Sequence, residues 1–217
     1  MLRELITNDW YTVFLLLALI CVSVSKILFS RRFEDFIYVI ANSNYLKIYV
    51  RDQKFIDAFD GLLFAASVIS ITVFGYTAQN TLAAATSFDV GVFLKLLFAV
   101  ISFLLIKTLL ERLIGSLFEI DALMDAYLFQ KTTYKNFIGL FLIPVNLFFI
   151  YSIQPTKVAI YAVIAVVFAI NLIGFITSFR NFQKLLISNF FYFILYLCAL
   201  EIGPYIILYH LITKYNI

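Results

Sequence analysis

Charge is the first thing this 217-residue chain lacks. Only 13% of its residues are Asp, Glu, Lys or Arg, while 64% are hydrophobic, and the mean hydropathy is +1.00. A water-soluble domain needs far more polar surface than this, so composition excludes that class and indicates a polytopic membrane domain. The net charge of +3 is too small to mark a nucleic-acid binder. Histidine is nearly missing: His210 is the one copy, so HExxH and H-x-x-x-H metal sites are excluded. The two cysteines, Cys21 and Cys198, lie in separate hydrophobic runs without C-x-x-C spacing, and read as packing residues rather than metal ligands. No cofactor or metal site is expected. The chain also has no G-x-S-x-G elbow, no Walker glycine loop and no GxGxxG. Asp60-Gly61 superficially matches the aspartate-glycine start of phospholipid-head-group transferases, but the arginine and downstream aspartates of that motif are missing. An enzyme is therefore not expected.

What the chain does have is apolar runs. A helix rising about 1.5 Å per residue needs roughly 20 apolar residues to cross the hydrocarbon core. Runs suited to this are Trp10 to Phe29, Gly61 to Tyr76, the stretch after Asp89 through Leu110, Phe137 to Tyr151 (interrupted by Pro144), Val158 to Phe179 and Ser188 to Ile212. The N-terminal MLRELITND has one base against two acids, so it lacks the positive start of a signal peptide, and the first run is expected to stay as a helix. Lys95 sits close enough to the outer end of its run to snorkel to the headgroups. The expected fold is all-α: a polytopic membrane helical bundle of six transmembrane helices and two amphipathic cytoplasmic segments, in a single integral membrane domain over residues 1–217.

The first amphipathic segment is the connector Arg31 to Asp60, where Phe33, Phe36, Ile37 and Ile40 recur at helical spacing among bases and aromatics. The second follows Leu110. Periodicity without proline from Val90 to Phe129 predicts that the third helix projects past the bilayer or bends onto its surface. Its apolar stripe includes Leu113, Leu117 and Met124, which either pack on the protein itself or dock a partner. Basic residues set the orientation. Lys26, Arg31, Arg32, Lys47, Arg51 and Lys54 flank the first connector, Lys107, Arg112, Lys131 and Lys135 the third, and Arg180 and Lys184 the fifth; the opposite side has Arg3, Lys157 and Lys214. The positive-inside rule then places both termini in the periplasm.

One carboxylate, Glu201, falls near the middle of the last apolar run. A charge in hydrocarbon costs on the order of 3 kcal/mol on insertion scales, so this residue should be protonated, paired or turned into the bundle. Gly203 and Pro204 follow it, and a proline without an N–H predicts a kink at the same level. Asn146 and Asn171, polar residues in the fourth and fifth runs, can meet Glu201 or bond one another or their own backbones. Glu201, Pro204, Asn146 and Asn171 together form the candidate intramembrane polar site.

Three stretches carry a family resemblance: NYLKIYVRDQK from Asn44, LFLIPVNLFFIYS from Leu140 and YLCALEIGPYIILYHLI from Tyr196. They resemble a family of Bacteroidota inner-membrane proteins known only as a domain of unknown function, whose last helix usually carries Leu at the position of Gly203. The resemblance implies a bacterial inner-membrane location and brings no activity, substrate or cofactor. Two functions remain in view. The first is a non-enzymatic subunit or assembly partner of a membrane complex, touching the lipid bilayer and a membrane-protein partner or a second copy, with no nucleic acid. The alternative is a small proton- or ion-coupled carrier built on Glu201.

Overall fold

The computed structural model describes residues 9–40, 44–49, 57–83, 88–117, 121–152 and 155–188. Glu201, Pro204 and the sixth expected span lie outside the described residues. Seven α-helices follow in chain order: α1 (Asp9–Leu28), α2 (Ser30–Ile37), α3 (Asn44–Tyr49), α4 (Ala58–Ala83), α5 (Val90–Leu117), α6 (Asp121–Tyr151) and α7 (Lys157–Ser188), with a 3-10 turn at Tyr38–Ile40 between α2 and α3. No strand occurs among the described residues. Five of the helices, α1 and α4 to α7, are long and apolar enough to cross a membrane, and the protein is a helical membrane protein.

The bundle is built on α4 and α6. Half of the membrane-crossing window of each is buried, against 17%, 11% and 17% for α1, α5 and α7, so those three helices turn most of their apolar surface outward. Lipid tails are as apolar as leucine, so apolar burial alone does not decide which helices pair; close approach and interhelical hydrogen bonds must do so. Gly139 on α6 supplies the close approach. Any Cβ there would overlap the Ser67 Cα and Cβ on α4. Gly174 plays the same part between α7 and α6, where a Cβ would stand 2.8 Å from the Tyr134 ring.

Each end of the bundle has its own aromatic cluster, and the described ion pairs lie at one of the two. At one end Tyr11, Tyr76, Phe88 and Phe93 form an edge-to-face aromatic cluster with centroids 4.5 to 6.1 Å apart, capping α1, α4 and the start of α5. The α2–α3 connector and the α5–α6 junction lie at the other end, with the ion pairs described below. The helices overrun the bilayer at that end. At 1.5 Å per residue the 28 residues of α5 and the 32 of α7 are about 42 and 48 Å long, against a core of about 30 Å.

The second amphipathic segment differs from expectation. The periodic run does not continue as one helix to Phe129: α5 ends at Leu117 and a new helix starts at Asp121. The two fold back on each other, with Gly115 close against Met124, Arg112 against Asp125 at 3.8 Å and Lys131 against Glu111. Both arms are amphipathic, so the hydrophobic pattern carries across the reversal. The first amphipathic segment is also helical and is buried on the bundle through Phe33, Phe36, Tyr45 and Leu46.

Candidate functional site

Many of the described polar groups gather at the end of the bundle that carries α2 and α3, around Arg32. Helix α2 begins one residue after the turn that closes α1, so its second and third residues, Arg31 and Arg32, sit beside the start of α4. Arg32 is the one turned inward. Its Nη1 donates to Asp57 Oδ2 at 2.8 Å and its Nη2 to Asp60 Oδ2 at 2.7 Å. The guanidinium lies over the rings of Phe59 and Tyr49, at 4.7 and 5.2 Å from their centroids, and Nε points at Tyr45 Oη at 3.4 Å. Tyr49 in turn donates to Asp35 at 3.1 Å.

Burial opposes the Arg32 charge, but the hydrogen bonds with Tyr45 and Asp57 and the charge of Asp60 outweigh it, and its pKa rises above the ordinary arginine value. Burial, with Asp60 nearby, also raises the Tyr45 phenol, which stays neutral beyond the usual tyrosine range. Arginine and tyrosine thus keep a fixed charge state through neutral pH. Such a site suits holding a segment in place better than moving protons.

From Asp60 a polar seam runs between α4 and α6. Asn136 Nδ2 donates to the Asp60 carbonyl at 3.5 Å, and Ser67 Oγ donates to Phe64 O at 2.8 Å, with Asn136 Oδ1 at 3.5 Å. Further along, Asn146 Nδ2 donates to Ser70 O at 2.9 Å and reaches Ser70 Oγ at 3.2 Å. Asn136, Asn146, Ser67 and Ser70 are all at most 1% exposed. Asn146 Oδ1, buried in this seam, has no hydrogen-bond partner among the described residues.

A second ionic group joins α5 to α6. Glu111, 1% exposed, pairs with Lys131, whose ammonium also lies 5.6 Å from the Tyr127 ring centroid. Lys107, one turn earlier on α5, is 4% exposed. Among the described residues, no three His, Cys, Asp or Glu side chains come together as a metal-holding group.

Of the residues singled out from the sequence, Asn146 is buried against α4, while Asn171 is exposed and donates back to Val167 O in its own helix at 3.0 Å. The two asparagines are not brought together. Met124 is buried, whereas Leu113 and Leu117 are 56% and 70% exposed. Sequence reading missed Arg32, Asp57, Asp60, Asn136, Glu111 and Lys131 as a constellation. Arg32 counted there only toward sidedness, and Asp60 only as half of a failed motif.

No curated protein and no solved structure matches the chain. The model of one family does match, over residues 11–212, which takes in the described crossing helices from the third residue of α1 onward and the polar groups between them. The chain is therefore a member of the family described as Domain of unknown function (DUF4271).

Proposed function

We propose that this protein is a non-enzymatic subunit or assembly partner of a bacterial inner-membrane complex, with both termini in the periplasm and the α2–α3 connector and α5–α6 hairpin in the cytoplasm. The observation that carries this reading is the exposed face of α5. Phe98, Leu105, Ile106, Leu109, Leu113 and Leu117 are each 45 to 72% exposed and continue along the helix to its inner end. Twenty residues from Val90 suffice to cross the hydrocarbon, so Leu113 and Leu117 emerge beyond it. An apolar stripe that leaves the lipid uncovered by the described residues is suited to a partner that also runs from the membrane into the cytoplasm.

The inner-end charges fit the same role. They are paired with one another across helices and hold the two cytoplasmic elements rigid, as a scaffold requires. The carrier alternative draws less support, because Asn146 is sealed in a seam too close for a Cβ at Gly139 and Asn171 is turned outward. The test is a photo-crosslinking residue at Leu113, 56% exposed on the same stripe, in native membranes, with and without Leu117→Asp. Because Leu117 is so exposed, the Asp variant should accumulate close to the parent level, since surface changes usually shift stability by no more than about 0.5 kcal/mol, and should lose a protein cross-link that the parent forms. A chain that cross-links only to lipid and purifies alone in mild detergent would refute the subunit reading.

A further inference from the structure

Helix α7 meets the rest of the described bundle along a narrow strip. Between Lys157 and Thr177 only Ile160, Ile170 and Gly174 are buried. Asn171 is not on that strip. It is exposed about 14 residues, or about 21 Å, into a crossing segment that runs from Lys157 to Thr177, and so lies within a hydrocarbon core of about 30 Å. Its Nδ2 donates to Val167 O at 3.0 Å, while its second amide hydrogen and its Oδ1 have no partner among the described residues. A carboxamide is costly to leave unpaired in lipid, and the bonds such side chains form there run between helices.

The residues on the same side of α7 form a seam. Tyr161, Ile164, Phe168 and Asn171 follow one another at spacings of three, four and three residues, the repeat that keeps one stripe of a helix against a partner helix. Tyr161, Ile164 and Phe168 are 59%, 44% and 63% exposed. Apolar side chains do not choose a partner in lipid, so the choice falls to Asn171. Copies of one chain insert with the same sidedness, so a two-fold axis between two copies runs along the membrane normal and sets each residue near it opposite its own counterpart at the same depth. Asparagine is self-complementary across such an axis, because the Nδ2–H of each copy can donate to the Oδ1 of the other. A single asparagine in an otherwise apolar seam also fixes the register and the number of helices that meet.

We propose that α7 is the interface between two copies of this chain, packed through Tyr161, Ile164 and Phe168 and locked by hydrogen bonds between the two Asn171 side chains. The seam shares no residue with the α5 stripe. The dimer therefore adds a second copy to the subunit reading and stands or falls apart from the partner assigned to α5.

The test uses two differently tagged copies expressed together, both with Cys21→Ala and Cys198→Ala, and mild oxidation in native membranes. Phe168→Cys should give a disulfide-linked species of twice the chain mass that carries both tags. Val166→Cys is 45% exposed but two residues away and so on the opposite side of the helix, and should give that species at least about tenfold more slowly. Asn171→Leu, close in size but unable to hydrogen-bond, should lower the Phe168→Cys dimer about tenfold, the scale of one interhelical bond in lipid, and should accumulate like the parent because the site is exposed. Asn171→Gln, which keeps the carboxamide, should retain most of the dimer, and Leu117→Asp should leave it unchanged. A doubled species that forms no faster through Phe168→Cys than through Val166→Cys, that carries one tag only, that survives Asn171→Leu or that is lost with Leu117→Asp overturns the interface. An Asn171→Leu chain that fails to accumulate also overturns it, since Asn171 then serves the fold of its own copy.

Discussion

Arg32 does what only a guanidinium can do at its position. Its planar fork reaches two carboxylates three residues apart at the start of α4, while its faces rest on Phe59 and Tyr49. A lysine would keep the charge but lose both the second hydrogen bond and the stacking. Arg32→Lys is expected to cost about 1–2 kcal/mol, and Arg32→Met about 3–5 kcal/mol, because the Met variant removes the cation shared by Asp57 and Asp60 and both of its hydrogen bonds. At about 2–4 °C per kcal/mol for a chain of this size, thermal unfolding in detergent separates the two. Adding Asp60→Asn to Arg32→Met should restore part of the loss by removing one of the stranded charges. An Arg32→Met protein as stable as the parent would show that the fork holds nothing. Little of this was legible in the sequence. Arginine 32 is one of two adjacent bases after an apolar run, and its partners stand 25 and 28 residues further on, where periodicity carries no information about pairing.

At the scale of elements, the join of α4 to α6 depends on the absence of one side chain. A Cβ on Gly139 would coincide with the Ser67 backbone and side chain, and the same approach brings Asn136 and Asn146 within hydrogen-bond reach of α4. Gly139→Ala must separate the two helices and break those bonds. It should cost about 3 kcal/mol or more, the upper range for overpacking, and most of the folded protein recovered from membranes. Gly75 on α4 provides the comparison, since the nearest atom to its added Cβ is 4.0 Å away. Gly75→Ala should be neutral or stabilise by about 0.5–1 kcal/mol through helix propensity. Equal losses at both glycines would mean that packing at Ser67 is not what holds α4 to α6. The hairpin of α5 and α6 shows the complementary limit of sequence reading. The amphipathic character beyond Leu110 was plain, but the reversal between Leu117 and Asp121 was not, because each arm keeps its own apolar stripe and no proline marks the break.

For the molecule as a whole, membrane crossing was the most legible property, since length and hydropathy alone identify a helix that must satisfy its own backbone in lipid. The five described crossing helices stand where the first five apolar runs were expected. Their neighbours were not legible. In hydrocarbon the choice of partner comes from a few small and polar residues far apart in sequence, such as Ser67 with Gly139 and Ser70 with Asn146. Sidedness rests on a different signal, the excess of lysine and arginine at one end, and the fold sharpens its test. Ser116 stands exposed on the α5–α6 hairpin, Gln79 near the end of α4 and Thr156 just before α7, so all three are accessible to reagent without cutting the chain. In a background without Cys21 and Cys198, Gln79→Cys and Thr156→Cys should react with a membrane-impermeant maleimide in intact spheroplasts. Ser116→Cys should react only after the membrane is opened. The basic residues of the first and third connectors predict this orientation, because moving them across the bilayer is opposed by the membrane potential at about 2.3 kcal/mol per charge per 100 mV. Labelling of Ser116→Cys from outside would invert the protein and move the exposed leucines of α5 to the periplasmic side.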